Sequence, residues 1–214
     1  MKRGYFVTFE GIDGSGKTSQ IGRLADYIRG KNKYQDVLLT REPTWRAEEL
    51  KKKLQNDAET LSDGLSMAQL FVEDRKIHTN EQIVPALEQN VFVICDRYAL
   101  STCAYQLTQG VNLDVILELH EIAGTIKPDV TFYIDVPLQI AEERMQKRGE
   151  NREKFEKSKT FTQELTLNYH YLTVQSASDE RIRNVIGNVI CIDGKSTIEV
   201  VEKQVRKEFD RLNF

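Results

Sequence analysis

An α/β fold, a mostly parallel sheet covered by helices on both faces, is predicted by three features of the 214-residue sequence. Strand-like and helix-like segments alternate along the chain. The strand-like segments are unbroken apolar runs rather than apolar–polar alternations, the pattern of strands buried on both faces. No internal repeat or low-complexity linker divides the chain, so the elements belong to one three-layer α/β/α domain.

The elements follow in order. Tyr5–Glu10 is a β-rich run that Gly11 stops. Lys17–Gly30 reads as a helix because Ile21, Leu24, Ala25 and Ile28 recur on one face, with Gly30 near its end. Val37–Thr40 is a short buried strand, and the polar, lysine-rich Ala47–Gln55 a surface helix. Gly64 to about Glu88 is a long helical stretch, followed by the continuous apolar strand Val91–Cys95. Ala99–Leu107 and Leu113–Ala123 read as helices, the second followed by Gly124. Val130–Val136 is a strand ended by Pro137, and Leu138–Arg148 is helical. Phe161–Gln175 is helical, Val185–Ile192 a strand and Thr197–Arg211 a closing helix. A single domain over residues 1–214 is expected, with a mobile segment at about 144–159 that includes the polar stretch Gly149–Lys159.

Composition narrows the function. Hydrophobic residues make up 40% and charged residues 29%, with a net charge of −3. A nucleic-acid coat or a membrane-surface protein usually needs a basic face, so neither nucleic acid nor membrane is an expected partner. Cys95, Cys103 and Cys191 are scattered without zinc-site spacing; Cys95 and Cys191 close apolar runs and are expected to be small buried residues. His78, His120 and His170 show no metal spacing either. No apolar stretch reaches the roughly 18 residues of a membrane span. Met1-Lys2-Arg3-Gly4-Tyr5 enters a strand almost at once, so no signal peptide and a cytoplasmic location are expected.

The clearest motif is Gly11-Ile12-Asp13-Gly14-Ser15-Gly16-Lys17-Thr18, which satisfies G-x-x-x-x-G-K-[ST] between a strand and an amphipathic helix. Glycines let the backbone turn its N–H groups toward a phosphate, and the following helix N-terminus adds positive potential. Lys17 is placed to neutralise β- and γ-phosphate charge, and the Thr18 hydroxyl to ligate Mg²⁺. A GTPase-type switch would also need an N-K-x-D element. Asn32-Lys33-Tyr34-Gln35-Asp36 is one residue too long and precedes the second strand, and no D-x-x-G follows Val91–Cys95.

Acceptor-side candidates lie at strand ends, where ligands of parallel sheets bind. Asp96 follows the third strand and is expected to hold the metal shell or an attacking oxygen; Arg97 offers a bidentate fork for a second phosphate. Arg41, in Thr40-Arg41-Glu42-Pro43, ends the second strand in the same way. Phe71 and Arg75 are four apart on one helix face, either an aromatic platform with a donor for a planar base or a core phenylalanine beside a surface arginine. Ser101, Thr102, Tyr105 and Gln106 present hydroxyls and an amide for base edges, or simply a polar helix surface. Arg144, Arg148 and Arg152 recur every four residues and, if helical, form a line of guanidiniums able to close over a triphosphate, with Gly149 as hinge.

Taken jointly these motifs resemble the thymidylate kinases. The resemblance rests on Phe9-Glu10-Gly11 with the glycine loop, Thr40-Arg41-Glu42-Pro43, Leu70-Phe71 with Arg75, Asp96-Arg97-Tyr98 with Ser101 and Ala104-Tyr105-Gln106, and Lys127-Pro128-Asp129. It implies a five-stranded parallel sheet of the P-loop nucleoside monophosphate kinase type and a homodimer packed through helices. It implies transfer of the γ-phosphoryl group of ATP to dTMP, giving dTDP and ADP for dTTP synthesis. ATP would lie on Gly11–Thr18 with Ser19 and Arg144, and Mg²⁺ at Thr18 and Asp96, directly or through water. Phe71 would stack on thymine and Arg75 donate to its 4-carbonyl. Asp13 would meet the 3′-hydroxyl, and Tyr105 disfavour a 2′-hydroxyl. Arg41 and Arg97 would hold the acceptor phosphate, with Gln106 and Ser101 or Thr102 completing the base pocket. With Gly14-Ser15 in the loop instead of an arginine, the catalytic arginine is expected from the lid, as Arg148 or Arg152. Thr44-Trp45 follows Pro43 where many bacterial members carry two glycines. A kinase acting on a nucleoside rather than a monophosphate is the alternative; it would need a general-base carboxylate for a 5′-hydroxyl.

Overall fold

The structure, a computed structural model, describes residues 3–44, 46–55, 63–149 and 159–212. Five strands, β1 (Phe6–Glu10), β2 (Val37–Arg41), β3 (Phe92–Asp96), β4 (Val130–Asp135) and β5 (Val189–Asp193), form one sheet in the order β2-β3-β1-β4-β5. Every neighbouring pair is parallel. The strands that begin as apolar runs therefore sit between two helical layers, as expected for a parallel sheet.

The strand residues divide by parity. Phe6, Val93, Cys95 and Tyr133 face one core; Val7, Phe9, Ile94 and Phe132 face the other. The second core is closed by α1 (Lys17–Lys31) and α10 (Ile198–Arg211), through Ile21, Leu24, Ile28, Val201, Val205 and Phe209. The first core is closed by α3 (Gly64–His78), α5 (Ala99–Thr108), α6 (Leu113–Ala123), α8 (Lys159–Gln175) and α9 (Glu180–Ile186). The remaining helices are α2 (Glu48–Gln55), α4 (Val84–Glu88) and α7 (Leu138–Arg148). A π turn over Thr79–Ile83 joins α3 to α4, so Gly64–Glu88 is one helical rod. Pro85 explains the widened turn: it has no N–H to donate four residues back.

Three expectations need correction. The strand expected from Val185 starts only at Val189, because Val185 and Ile186 belong to α9. Asp179 caps that helix, accepting from the Arg181 and Ile182 amides, and both apolar residues lie on its buried face. An apolar run that crosses from a helix into a strand carries no periodicity to mark the boundary. β2 is also not fully buried, for it is an edge strand with Leu39 44% exposed. Cys191 lies on the other edge strand and is exposed, whereas Cys95 is buried in β3.

Candidate active site

The glycine loop joins central β1 to α1 near the point where the strand order reverses, the place where open parallel sheets form a crevice. Gly14 has φ +78°, and a Cβ there would stand 2.4 Å from the Ala141 carbonyl oxygen. Gly16, at φ +101°, is the N-cap of α1. Both demands exclude a side chain, so the loop takes its shape from glycine. Lys17 is buried and folds back over the loop. Its Nζ donates to the carbonyl oxygens of Gly11 at 2.8 Å and Ile12 at 3.0 Å.

The ends of β2 and β3 stand beside this loop, with Arg41 in register with Asp96. Thr18 Oγ1 donates to Asp96 Oδ2 at 3.2 Å. Asp96 Oδ1 is buried with no hydrogen-bond partner among the described residues. A carboxylate oxygen without a partner next to a hydroxyl is a hard-oxygen donor set that fits Mg²⁺, which is held by one or two carboxylates with phosphates and water rather than by a protein cage. Among the described residues no cluster of three or more His, Cys, Asp or Glu side chains is placed to hold a metal ion by itself.

Arg97 adopts φ +64°, a conformation L-residues rarely take, held by its N–H to the Phe9 carbonyl at 2.9 Å. That backbone turns its guanidinium into the site. Nη2 pairs with Asp13 Oδ1 at 2.5 Å, Nη1 reaches Ser101 Oγ at 3.3 Å, and the guanidinium lies 5.4 Å from the Tyr105 ring centre.

One cleft of about 400 Å³ joins these parts. Its lining takes Asp13, Gly14, Gly16, Lys17, Thr18 and Ser19 from the loop and α1, Arg41, Glu42, Pro43, Asp96 and Arg97 from the strand ends, and Met145 and Arg148 from α7. The two anion-binding groups expected from sequence thus share one cavity. Arg152 and Trp45 lie outside the described residues, as does most of the expected mobile segment. Helix α7 carries Arg144 and Arg148 and ends on Gly149 at φ +67°. Arg144 is not in the cleft lining; it donates to the Ser15 carbonyl oxygen of the glycine loop (3.3 Å) and to those of Gly194 (2.8 Å) and Ser196 (3.0 Å) between β5 and α10.

The base-side residues form a second cluster behind Arg97, outside the lining of that cleft. Arg75 is 1% exposed, not a surface residue. Its Nη2 meets Glu42 Oε2 at 2.6 Å and Thr102 Oγ1 at 3.0 Å, its Nη1 meets His120 Nε2 at 2.8 Å, and its guanidinium lies 4.7 Å from the Tyr98 ring centre. Phe71 is half-buried against the same core. Ser101, Thr102, Tyr105 and Gln106 are all buried, which rules out the plain polar surface. Within this cluster two polar atoms have no partner among the described residues: Arg75 Nε, a donor, and Gln106 Oε1, an acceptor.

Several residues that hold the site escaped the sequence reading. Glu10 sits beneath both clusters, accepting from the Tyr98 and Ser101 amides and the Ser101 hydroxyl. Glu42 links Arg75 to His78, whose other nitrogen meets Thr40 Oγ1 at 2.8 Å. Asp74 accepts from the Thr44 amide and hydroxyl, both at 2.7 Å, so α3 braces the loop that follows Arg41. Tyr169 stacks on Tyr133 and meets Ser101 Oγ at 2.9 Å. The available signal was an acid or histidine at the end of an apolar strand or on an apolar helix face, a position where polar groups are costly unless paired.

Burial pushes the Glu10 carboxyl above its ordinary 4.5; the Ser101 hydroxyl, the Arg97 charge and the two amides pull it back only in part. The folded state therefore keeps this proton to higher pH than the unfolded chain. That contribution to stability is complete below about 4.5 and is lost as pH rises through the folded value. Urea midpoints of wild type and Glu10→Gln should accordingly diverge as pH rises above about 4.5 toward neutral, the wild type losing ground. A constant offset over that range would contradict the assignment.

Comparison with known proteins gives the same picture across most of the chain. The sequence model described as thymidylate kinase matches residues 9–205. A probable thymidylate kinase of Pyrococcus abyssi is 36% identical over 194 residues, 87% of this chain and 91% of the relative. A thymidylate kinase of Caldicellulosiruptor saccharolyticus is 33% identical over 213 residues, 98% of each chain. The crystal structure of thymidylate kinase from Ehrlichia chaffeensis superposes with a TM-score of 0.73 at 30% identity, covering 97% of this chain and 99% of that one. With the family model matching residues 9–205, and relatives 33–36% identical over most of the chain and sharing its fold, the chain belongs to the thymidylate kinase family.

Proposed function

We propose that this chain transfers the γ-phosphoryl group of ATP to dTMP, releasing ADP and dTDP in the route to dTTP. The observation that carries the reading is the single cleft in which the glycine loop and Lys17 face Arg41 and Arg97. A triphosphate on one wall and a monophosphate on the other would be brought together by it. The base reading is supported by the two buried atoms without partners. Arg75 Nε offers a donor and Gln106 Oε1 an acceptor. Thymine presents a 4-carbonyl and an N3–H, the complementary order; cytosine presents an amino group and a bare N3, the reverse.

An acceptor phosphate oxygen is already anionic at neutral pH, so no strong general base is required. Catalysis rests on alignment and on charge placed in advance around the transferred group. Lys17 and the N-terminus of α1 face the donor phosphates, Arg97 and Arg41 hold the acceptor phosphate, and Arg148 at the end of α7 enters the same cleft. Arg97 must leave Asp13 in part to grip the phosphate, freeing that carboxylate for the 3′-hydroxyl. Thr18 Oγ1 and Asp96 would hold Mg²⁺, which supplies charge neutralisation of the donor phosphate oxygens. Arg144, through the Ser15 carbonyl, steadies the loop that cradles ATP. A single domain with a lid at about 144–159, Arg152 as a further lid arginine, a homodimer and a cytoplasmic location belong to the same proposal. Among the described residues no helix is long and apolar enough to cross a membrane.

A coupled ADP-release assay over dTMP, dUMP, dCMP, dGMP and thymidine tests the reading. The expected order places dTMP first and thymidine near background. Preference for thymidine would replace the monophosphate kinase by a nucleoside kinase.

A further inference from the structure

The Arg75 guanidinium is held in its place by three other elements, and one of its partners has no role in the proposed chemistry. His120 sits on the buried face of α6 with Ile116 and Leu117 and is 1% exposed. Its Nδ1 lies 2.8 Å from the Ile116 carbonyl oxygen, four residues back on the same helix. An oxygen accepts only, so Nδ1 carries the proton. Nε2, 2.8 Å from Arg75 Nη1, then presents a lone pair to a permanent donor. Burial and the neighbouring Arg75 charge push the His120 pKa down to about 3, which keeps the ring neutral and the lone pair present.

We propose that His120 is a specificity-determining positioning residue, its Nε2 lone pair holding the Arg75 guanidinium at the angle from which it reads the pyrimidine 4-carbonyl. Glu42 and Thr102 both engage Nη2, so they constrain one corner of the planar group. His120 engages Nη1, the second corner, and two corners define the orientation of the plane in which Nε–H points. Without the second contact only the Nη2 bonds and the Tyr98 ring hold the guanidinium, and Nε–H is held less firmly on its line to the base. This inference rests on the proposed base-reading role of Arg75.

The test uses the full-length enzyme with dTMP and dCMP as acceptors. His120→Leu removes the lone pair at similar volume; the expected result is a KM for dTMP raised about tenfold, the scale of one hydrogen bond to a charged group. The preference for dTMP over dCMP should fall by a similar factor, while kcat and the KM for ATP stay within about twofold. His120→Gln returns an amide oxygen to the Nε2 position and should restore the KM for dTMP to within about threefold. Where His120→Leu does not yield folded protein, His120→Asn decides, its shorter amide falling short of Nη1: a raised KM supports the assignment and an unchanged one overturns it. An unchanged KM in folded His120→Leu, or a Gln variant no better than Leu, overturns it as well. Arg75→Gln separates the two readings. If it leaves the KM for dTMP unchanged, the base-reading role itself fails; if it raises that KM and His120→Leu does not, only the role of His120 fails.

Discussion

Replacing Lys17 by alanine is expected to lower kcat at least ~100-fold, with the KM for dTMP changed far less. Two losses combine in this variant. The ammonium proposed to face the donor phosphates goes, and transition-state charge stabilisers of this kind are typically worth two to three orders of magnitude. The loop also loses its internal tie, since Nζ bonds the carbonyl oxygens of both Gly11 and Ile12. Those carbonyls are negative ends of dipoles, and a cradle for an anion needs its N–H groups inward and its carbonyls turned away or neutralised. Lys17→Arg distinguishes the two effects, because it restores the charge with a bulkier group that does not fit the same pair of carbonyls. Steady-state rates by coupled ADP release give the answer, and near-normal turnover in the alanine variant would remove Lys17 from the mechanism.

The largest stability effect is expected at Glu42. Its carboxylate and the Arg75 guanidinium are 2.6 Å apart with side chains only 4% and 2% exposed. Removing one partner of a buried pair leaves the other charge without compensation, at a cost of about 3–5 kcal/mol. Glu42→Ala should show that loss in urea denaturation at neutral pH, and with it a weaker grip on Arg41, since Glu42 and Asp74 tie the Arg41 loop to α3. Replacing both partners by apolar residues, Glu42→Leu with Arg75→Met, should recover most of the stability, because no buried charge is then left over. The double variant should still bind dTMP poorly. Recovery of both stability and substrate affinity would mean that Arg75 serves the core and not the base. A loss below about 1 kcal/mol in Glu42→Ala would mean that water reaches this pair in solution.

The parts of this protein legible in its sequence are those whose cause is local. Gly14 and Gly16 take backbone angles that a side chain forbids, and the strand before them and the helix after them are contiguous, so the turn between β1 and α1 that carries Lys17 and Thr18 was legible. The central strands announced themselves as apolar runs because both their faces are covered. That Arg41 and Arg97 would stand beside the glycine loop was legible because strand ends in a parallel sheet collect at one edge, a rule of topology that holds before any contact is known.

What the sequence left open was decided by long-range packing. Phe71 and Arg75 permitted a base platform or a core phenylalanine with a surface arginine, and helical spacing alone does not separate them. Arg75 is buried because Glu42, Thr102 and His120 arrive from the turn after β2, from α5 and from α6, the last two 27 and 45 residues away along the chain. Glu10, Glu42 and His120 likewise look like isolated polar residues until the fold supplies their partners. The boundary between α9 and β5 was missed for the same reason, since an apolar face reads alike whether a helix or a strand presents it. Backbone angles and missing N–H groups act within a few residues and are therefore written where they act; ion pairs and buried hydrogen bonds join residues that only the packing of helices onto the sheet brings within reach.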